Sequence, residues 1–333
     1  MDVERVTLSE WNDLLPDSGF EVFHTAEALG VLDEHTDAEL QLYGGFKGEQ
    51  PVGLLPVFRS DRSMGRAFLS PPPSMGVPHL GPIVMSNSPK RRKVERINRK
   101  FTEGILDRLS ATERLTLLRL VCSPTYADPR PYQWRELEAE SRFTYRLRVD
   151  GPPDDVKSGF SSSLRREVSD ADDLGLGIEV EGVEAGRRIY DQLAERYAAQ
   201  GEPFPLTWDY VRDVITELGE RSRVYVARDE TGEYLAGIIV LYSNDSAYYW
   251  EGGARVDYEN VSVNSLLHWA IIEDVATDPA LESVTQYDLV GANTRRLCEY
   301  KAKFNPELHP YYVVESGGMG MDVAKSAYRL IQS

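Results

Sequence analysis

The 333-residue sequence predicts an α/β (α+β) protein made of two tandem units, each a mixed β-sheet flanked by helices. Three observations lead there. The length suits about two domains of ordinary size, each able to bury its own core. The composition, 41% hydrophobic and 10% aromatic, is that of a folded globular chain rather than a disordered one. The apolar patterning also runs through the same order twice: a β-hairpin, a further strand region, a helix and a last strand.

The first hairpin covers residues 39–58, alternating from Glu39, turning at Lys47-Gly48-Glu49 and then becoming apolar up to Phe58. Residues 223–242 repeat that order, with Arg223 to Arg228 as the half-exposed strand, a turn at Asp229 to Glu233, and an apolar strand to Tyr242. The first crossover helix opens at Ser88-Pro89, proline being suited to a first turn, with Val94, Ile97, Phe101, Ile105 and Leu109 on one face. The second begins near Asn264-Ser265 and carries Leu266, Leu267, Ala270, Ile271 and Val275. Strands follow at 115–121 and 283–289.

Between the repeats, Arg142 to Asp150 alternates as a strand and Gly151-Pro152-Pro153 breaks it, which sets domains at 1–150 and 151–333. A single helical pattern then runs from Asp154 through Val156, Phe160, Leu164 and Val168 to Gly175. Further helices are expected from Val183 to about Gln200 and from Thr207 to Leu218, and a short final one after Gly317-Gly318.

The net charge is −17, and 29 of the 37 basic residues are Arg against 8 Lys. We read this acidic, lysine-poor surface as a hypothesis of adaptation to a salty cytoplasm, which a stability maximum at low salt would refute. Such a surface repels nucleic acid at low ionic strength, and no DNA partner is expected. In molar salt that repulsion reaches only about 3 Å. The one cationic run, Lys90-Arg91-Arg92-Lys93 with Arg96, Arg99 and Lys100, is either the solvated face of an amphipathic helix or a contact for tRNA phosphates or an anionic headgroup. Cys122 and Cys298 are the only cysteines, giving neither a disulfide framework nor a metal cluster, so no metal site is expected. His24, His79 and His309 have no Ser, Cys or Asp partner at a diagnostic spacing. The start of the chain lacks a leader pattern and no apolar run approaches the ~18 residues of a membrane span. A soluble cytoplasmic protein without a transmembrane segment is expected.

Several stretches of the second half resemble the FemABX family of aminoacyltransferases within the GNAT (N-acyltransferase) superfamily. They are Phe160 with Leu164-Arg165-Arg166, Tyr249-Trp250-Glu251-Gly252-Gly253-Ala254, Asn264 to Leu267 with Trp269, Tyr287 to Ala292, and Leu297 to Asn305. The first half adds Phe58, Pro71-Pro72-Pro73 and Leu80-Gly81-Pro82. Tyr300 replaces the family's phenylalanine, Asn305-Pro306 replaces its glycine, and the coiled-coil arm of some members has no counterpart.

The resemblance implies a tandem pair of GNAT-like domains transferring an aminoacyl or acyl group to an amine of a cell-envelope or glycan precursor. It implies no bound cofactor, a small-molecule or lipid-linked partner, and aminoacyl-tRNA or acyl-CoA as donor. GNAT domains that use acetyl-CoA hold its pyrophosphate on a loop of pattern Arg/Gln-x-x-Gly-x-Gly/Ala at a helix start, where backbone N–H groups and the helix dipole meet phosphate. Here Arg255-Val256-Asp257-Tyr258-Glu259-Asn260 puts Tyr and Asn in place of glycines, and Met85 to Pro89 has no such pattern.

By the same resemblance Lys301 falls on the motif lysine, a partner for an anionic group or developing negative charge, against the alternative of a solvated lysine. Arg165 and Arg166 correspond to arginines near acceptor phosphates, or form a solvated helix pair beside Glu167 and Asp170. Tyr249 and Trp250 could stack on a sugar or peptide, or be core. Asp288 could orient Lys301 or an amine, or bond backbone at a strand end. Asn264 and Tyr300 complete the expected substrate-binding set. Two alternative functions stand beside this one: an acyl-CoA- or acyl-carrier-dependent N-acyltransferase acting on an amino sugar, and a noncatalytic pair of domains that binds a glycolipid or peptide.

Overall fold

The computed structural model describes residues 1–62, 65–86, 88–113, 115–170 and 174–316. The helix expected after Gly317-Gly318 lies outside the described residues. In chain order the elements are β1 (Asp2–Val6), α1 (Leu8–Leu14), α2 (Ala26–Glu34), β2 (Glu39–Lys47), β3 (Gln50–Arg62), β4 (Gly65–Ser70), β5 (Ile83–Val84), α3 (Arg91–Leu109), β6 (Thr116–Val121), α4 (Arg130–Gln133) and β7 (Leu137–Arg148). They continue with α5 (Pro153–Gly159), α6 (Ser162–Asp170), β8 (Gly177–Glu181), α7 (Val183–Ala198), α8 (Trp208–Glu217), β9 (Ser222–Arg228), β10 (Tyr234–Tyr242) and β11 (Ser246–Gly252). The last are β12 (Asp257–Tyr258), β13 (Val261–Ser262), α9 (Val263–Thr277), β14 (Gln286–Asp288), α10 (Arg295–Lys301) and β15 (Glu307–Ser316).

The chain forms two compact units, Met1–Arg142 with Pro310–Ser333, and Phe143–His309. In the first, strands run in the order β1-β2-β3-β4-β6-β15. Neighbours are antiparallel except β4 and β6, whose parallel pairing follows from the crossover through α3. The β2–β3 hairpin turns at Gly48-Glu49, and Gly48 sits at φ +64°, where glycine is favoured. Gly45 and Gly53 leave room for the buried ring of Phe101, which a Cβ at either position would meet at 2.5 and 2.6 Å. That seats α3 on the sheet, with Ile105, Leu106 and Leu109 buried beneath it.

The second unit repeats the plan in the order β7-β14-β11-β10-β9-β8. Here β11 and β14 are the parallel pair and α9 is the crossover. Thr207 caps α8 by accepting the N–H of Tyr210 at 3.3 Å. Gly237 lets α7 approach, since a Cβ there would stand 2.7 Å from Ile189 Cδ1. The core gathers apolar residues from β9, β10, α6 and α9, with Phe160 and Phe304 at one end.

Two sequence expectations differ from the structure. The boundary set at residue 150 falls instead after Arg142, and the segment from Pro310 joins the first unit. Strand pairing explains both, since β7 residues Arg146 to Arg148 bond to β14 and β15 residues Val313 to Glu315 bond to β6. Each parallel pair thus has its open edge covered by a strand from a distant part of the sequence. The single helix expected from Asp154 to Gly175 is two, α5 and α6, broken at Phe160-Ser161. Phe160 is buried edge-on between Trp269 and Phe304, Ser161 Oγ accepts the N–H of Leu164 at 3.3 Å, and Arg165 Nη1 reaches back to the carbonyls of Ser158 and Phe160 at 2.8 Å each. These contacts outweigh helix continuation.

Candidate active site

The parallel pair of the second unit opens a gap. Strands β11 and β14 pair only over Ser246–Tyr248 and Gln286–Asp288, after which β14 ends while β11 continues to Gly252. On its other edge β11 carries a bulge: Ile239 faces Glu251 and Val240 faces Tyr249, which leaves Trp250 as the extra residue. A bulge frees backbone groups from the ladder and re-aims neighbouring side chains, a common arrangement beside active sites.

The end of β14 is held by charge. Asp288, fully buried, accepts from Thr144 Oγ1 at 2.6 Å, from the Val290 N–H at 2.8 Å and from Arg146 Nε at 3.0 Å. The chain then turns through Val290 and Gly291, both at positive φ. Lys301, 6% exposed at the end of α10, donates to the carbonyl of Val290 and to that of Gly291 at 3.1 Å. Its ammonium lies 5.9 Å from the centre of the Tyr249 ring. Burial lowers the Lys301 pKa to about 8, with Asp288 opposing. Lys301 is therefore not a solvated surface lysine. Asp288 acts on it through charge, and its hydrogen bonds among the described residues go elsewhere.

Around this turn stands an aromatic shell. His268 packs against Tyr249 and Phe304 at 5.0 Å each and shares a 2.8 Å hydrogen bond with Tyr287. Burial, with Lys301 adding to it, lowers the His268 pKa to about 3, so this imidazole is neutral at physiological pH. The hydroxyls of Tyr300 and Ser265 face one another. Among the described residues neither has a well-formed hydrogen bond, and the buried Oγ of Ser262, the residue preceding α9, also lacks one. Arg255 lies 5.7 Å above the Tyr300 ring.

On the α7 and α8 side, Glu251 is partly enclosed. Desolvation pushes its pKa up to about 7, with Arg196 of α7 opposing. Arg196 also donates to the Gly253 carbonyl at 3.4 Å, and Gln192 accepts from Tyr234 and from the Ala254 N–H at 3.1 Å each. Sequence reasoning quoted Glu251 within an aromatic run but gave it no role. The available signal was a carboxylate set in an otherwise apolar strand.

The other expected residues are placed as follows. Tyr249 and Tyr300 line the aromatic shell beside Lys301. Asn264 accepts the Val256 N–H at 3.4 Å, tying the β12–β13 hairpin to α9. Trp250 is buried against Tyr210, the core position weighed above. Arg165 serves the α5–α6 break. Arg166 is exposed and has no hydrogen-bond or ion-pair partner among the described residues.

The stretch where acetyl-CoA enzymes carry their phosphate loop is here a small hairpin, β12 and β13, with Glu259 and Asn260 at positive φ in its turn. Tyr258 and Asn260 stand at the glycine positions, with the acidic Asp257 and Glu259 beside them, so this hairpin is not a glycine cradle for a pyrophosphate. The buried hydroxyls of Ser262, just before α9, and Ser265, in its first turn, have no well-formed hydrogen bond among the described residues, and Arg255 lies over the neighbouring Tyr300 ring.

The sequence model of the Acetyltransferase (GNAT) domain matches residues 158–302. This chain carries a GNAT acyltransferase domain. The match coincides with the unit that holds the gap, Glu251 and Lys301. Among solved structures, the crystal structure of FemX aligns with a TM-score of 0.71 at 10% identity, covering 94% of this chain and 97% of that one. A tandem GNAT protein from the clavulanic acid biosynthesis pathway aligns at 0.51 and 15% identity, over 95% and 99% of the two chains. A C-terminal domain (DUF2156) described as that of a lysylphosphatidylglycerol synthetase, from Agrobacterium fabrum, aligns at 0.56 and 14%, over 97% and 94%. No curated protein matches the sequence. The fold is FemABX-like and of tandem GNAT type, and residues 158–302 carry the acyltransferase-type domain. Among the described residues, no helix is long and apolar enough to cross a membrane.

Proposed function

We propose that the second unit transfers an aminoacyl or acyl group from an activated donor to the amine of a phosphate-bearing envelope or glycan precursor. One observation carries this reading: β11 and β14 part after Tyr248 and Asp288, with Glu251 (pKa about 7) further along β11 and Lys301 (about 8) bonded to the turn that follows β14. Groups pushed toward neutrality from opposite directions are suited to paired proton and charge work. The Glu251 carboxylate takes a proton from the acceptor ammonium, and the free amine attacks the donor carbonyl carbon. Lys301 has three N–H donors, two of them bonded to carbonyls, which leaves one for the oxyanion. Collapse expels the donor's leaving oxygen or sulfur, which takes the surplus proton of the attacking nitrogen, and forms the neutral amide. The FemX and lysylphosphatidylglycerol synthetase neighbours support a lipid or precursor acceptor only through their shared fold.

A second reading, an acyl thioester donor, is favoured by the unpartnered hydroxyls at the start of α9, and the missing glycines weigh against it. The deciding experiment offers charged tRNAs and acyl-CoAs with envelope-precursor extracts, read by mass spectrometry. An amide product with charged tRNA supports the first reading, one with acyl-CoA the second. Ligand-induced thermal shifts with no product from any donor would establish a noncatalytic binding pair instead.

The reaction requires ionised Glu251 and charged Lys301. The turnover profile is therefore expected to rise through about pH 7 and fall above about pH 8. A monotonic profile across that window would remove the pairing. Arg166→Ala is expected to raise the acceptor KM roughly tenfold with little change in kcat, the loss of a charged contact. Stability should stay within about 0.5 kcal/mol because the side chain is exposed. An unchanged KM would free Arg166 from the site.

A further inference from the structure

The outer face of α3 carries a charge pattern that folding does not explain. Arg92, Lys93, Arg96, Arg99 and Lys100 recur at helical spacing on the side opposite Phe101, Ile105 and Leu109. All five are exposed and unpaired among the described residues. Arg91 is the neighbour that does pair, with Glu95 at 2.9 Å. The five lie in the N-terminal half of the helix, whose first turn holds no acidic residue. Arg92 and Lys93 stand in that first turn, at the positive end of the helix dipole, where cations cost helix stability and anions would be favoured. In a chain of net charge −17, three of the eight lysines fall between positions 90 and 100. A local rule broken without a compensating contact marks a functional surface.

A second observation lies beside it. Trp134, just past α4, is 59% exposed, with the Arg130 guanidinium 5.7 Å from its ring. Arg130 pairs with Glu95 and Arg135 with Asp107, both on α3, which fixes this indole next to the cationic face. The face spans about 14 Å, at ~1.5 Å per residue. It is convex, built on one helix, and bordered by an exposed indole.

We propose that the α3 face and Trp134 form a docking surface for an anionic lipid bilayer. Cations attract lipid phosphates, while tryptophan settles at the headgroup level. A single convex helix has no groove to track a polynucleotide backbone, which favours a flat surface over tRNA. The inference concerns the first unit and is independent of the acyl-transfer reading.

The test is cosedimentation of the full chain with vesicles at low ionic strength, comparing pure phosphatidylcholine with vesicles rich in phosphatidylglycerol. Binding is expected to the anionic vesicles only and to fall as salt rises. The triple variant R92Q/R96Q/R99Q is expected to lower partitioning more than about tenfold. W134A is expected to weaken it separately at unchanged charge. Circular dichroism would confirm that each variant is folded before it is scored. Three outcomes overturn the proposal: no binding to anionic vesicles, equal binding by the triple variant, or tRNA binding that the triple variant abolishes while vesicle binding is absent.

Discussion

Glu251→Gln is expected to lower acyl transfer by about 10²- to 10⁴-fold, the range contributed by a positioned general base. Glutamine keeps the shape and hydrogen-bonding capacity of the side chain and removes only its ability to take a proton. The bulge at Trp250 and the contacts of β11 should survive, so the loss should appear in kcat with acceptor KM nearly unchanged. The rise of activity through about pH 7 should disappear as well, because the group responsible for it is gone. Stability gives a check of opposite sign. A carboxyl with a raised pKa binds its proton more tightly in the folded chain than in the unfolded one, so its ionised form costs stability above pH 7. The variant should therefore unfold no earlier than the parent at pH 8, with the two converging at pH 4. Turnover equal to the parent, or a loss traceable to unfolding, would take the base role away from Glu251.

Much of the fold was legible because burial leaves a periodic trace. Both hairpins showed alternation, and α3 and α9 showed apolar stripes. The repeat was visible since the crossover helix and its parallel strands recur in the same order. Strands β1 and β8 were missed for a physical reason: both alternate weakly and are mostly exposed, and each lies at the end of its unit's strand order. The break between α5 and α6 was hidden because Phe160, Leu164 and Val168 keep a four-residue spacing across it. The exchanged strands β7 and β15 were also hidden, since pairing between distant segments leaves no local pattern.

The site was read in part. Lys301 was singled out through family likeness, and its burial against two carbonyls could not have been inferred from the letters around it. Glu251 was overlooked because a carboxylate's environment depends on α7 and α8, which lie far from it in sequence. The bulge at Trp250 likewise exists only in the pairing of β11 with β10. Asp288 shows the converse. Its carboxylate bonds the Val290 N–H at the strand end while its charge opposes the lowering of the Lys301 pKa, so neither reading excludes the other in this arrangement.

That arrangement makes Asp288→Asn the largest expected effect on stability. The substitution removes the Asp288 charge from beside the Arg146 guanidinium, itself only 5% exposed, and breaking a buried pair from one side costs about 3–5 kcal/mol. For a unit of this size the melting temperature should fall by roughly 10 °C. The pair itself is a weaker contributor than this loss suggests, because ion burial cancels much of its attraction. The double variant R146M/D288N should therefore recover a large share of the lost stability, a coupling that a thermodynamic cycle over the four proteins measures directly. Turnover should not return with it. The Asp288 carboxylate also accepts the Val290 N–H, and the Val290 and Gly291 carbonyls hold the Lys301 ammonium. Loss of the carboxylate loosens that turn and removes the anion that keeps Lys301 charged. Recovered stability with absent turnover would identify Asp288 as a positioning residue for Lys301, whereas full activity in the double variant would reduce it to a strand-end anchor.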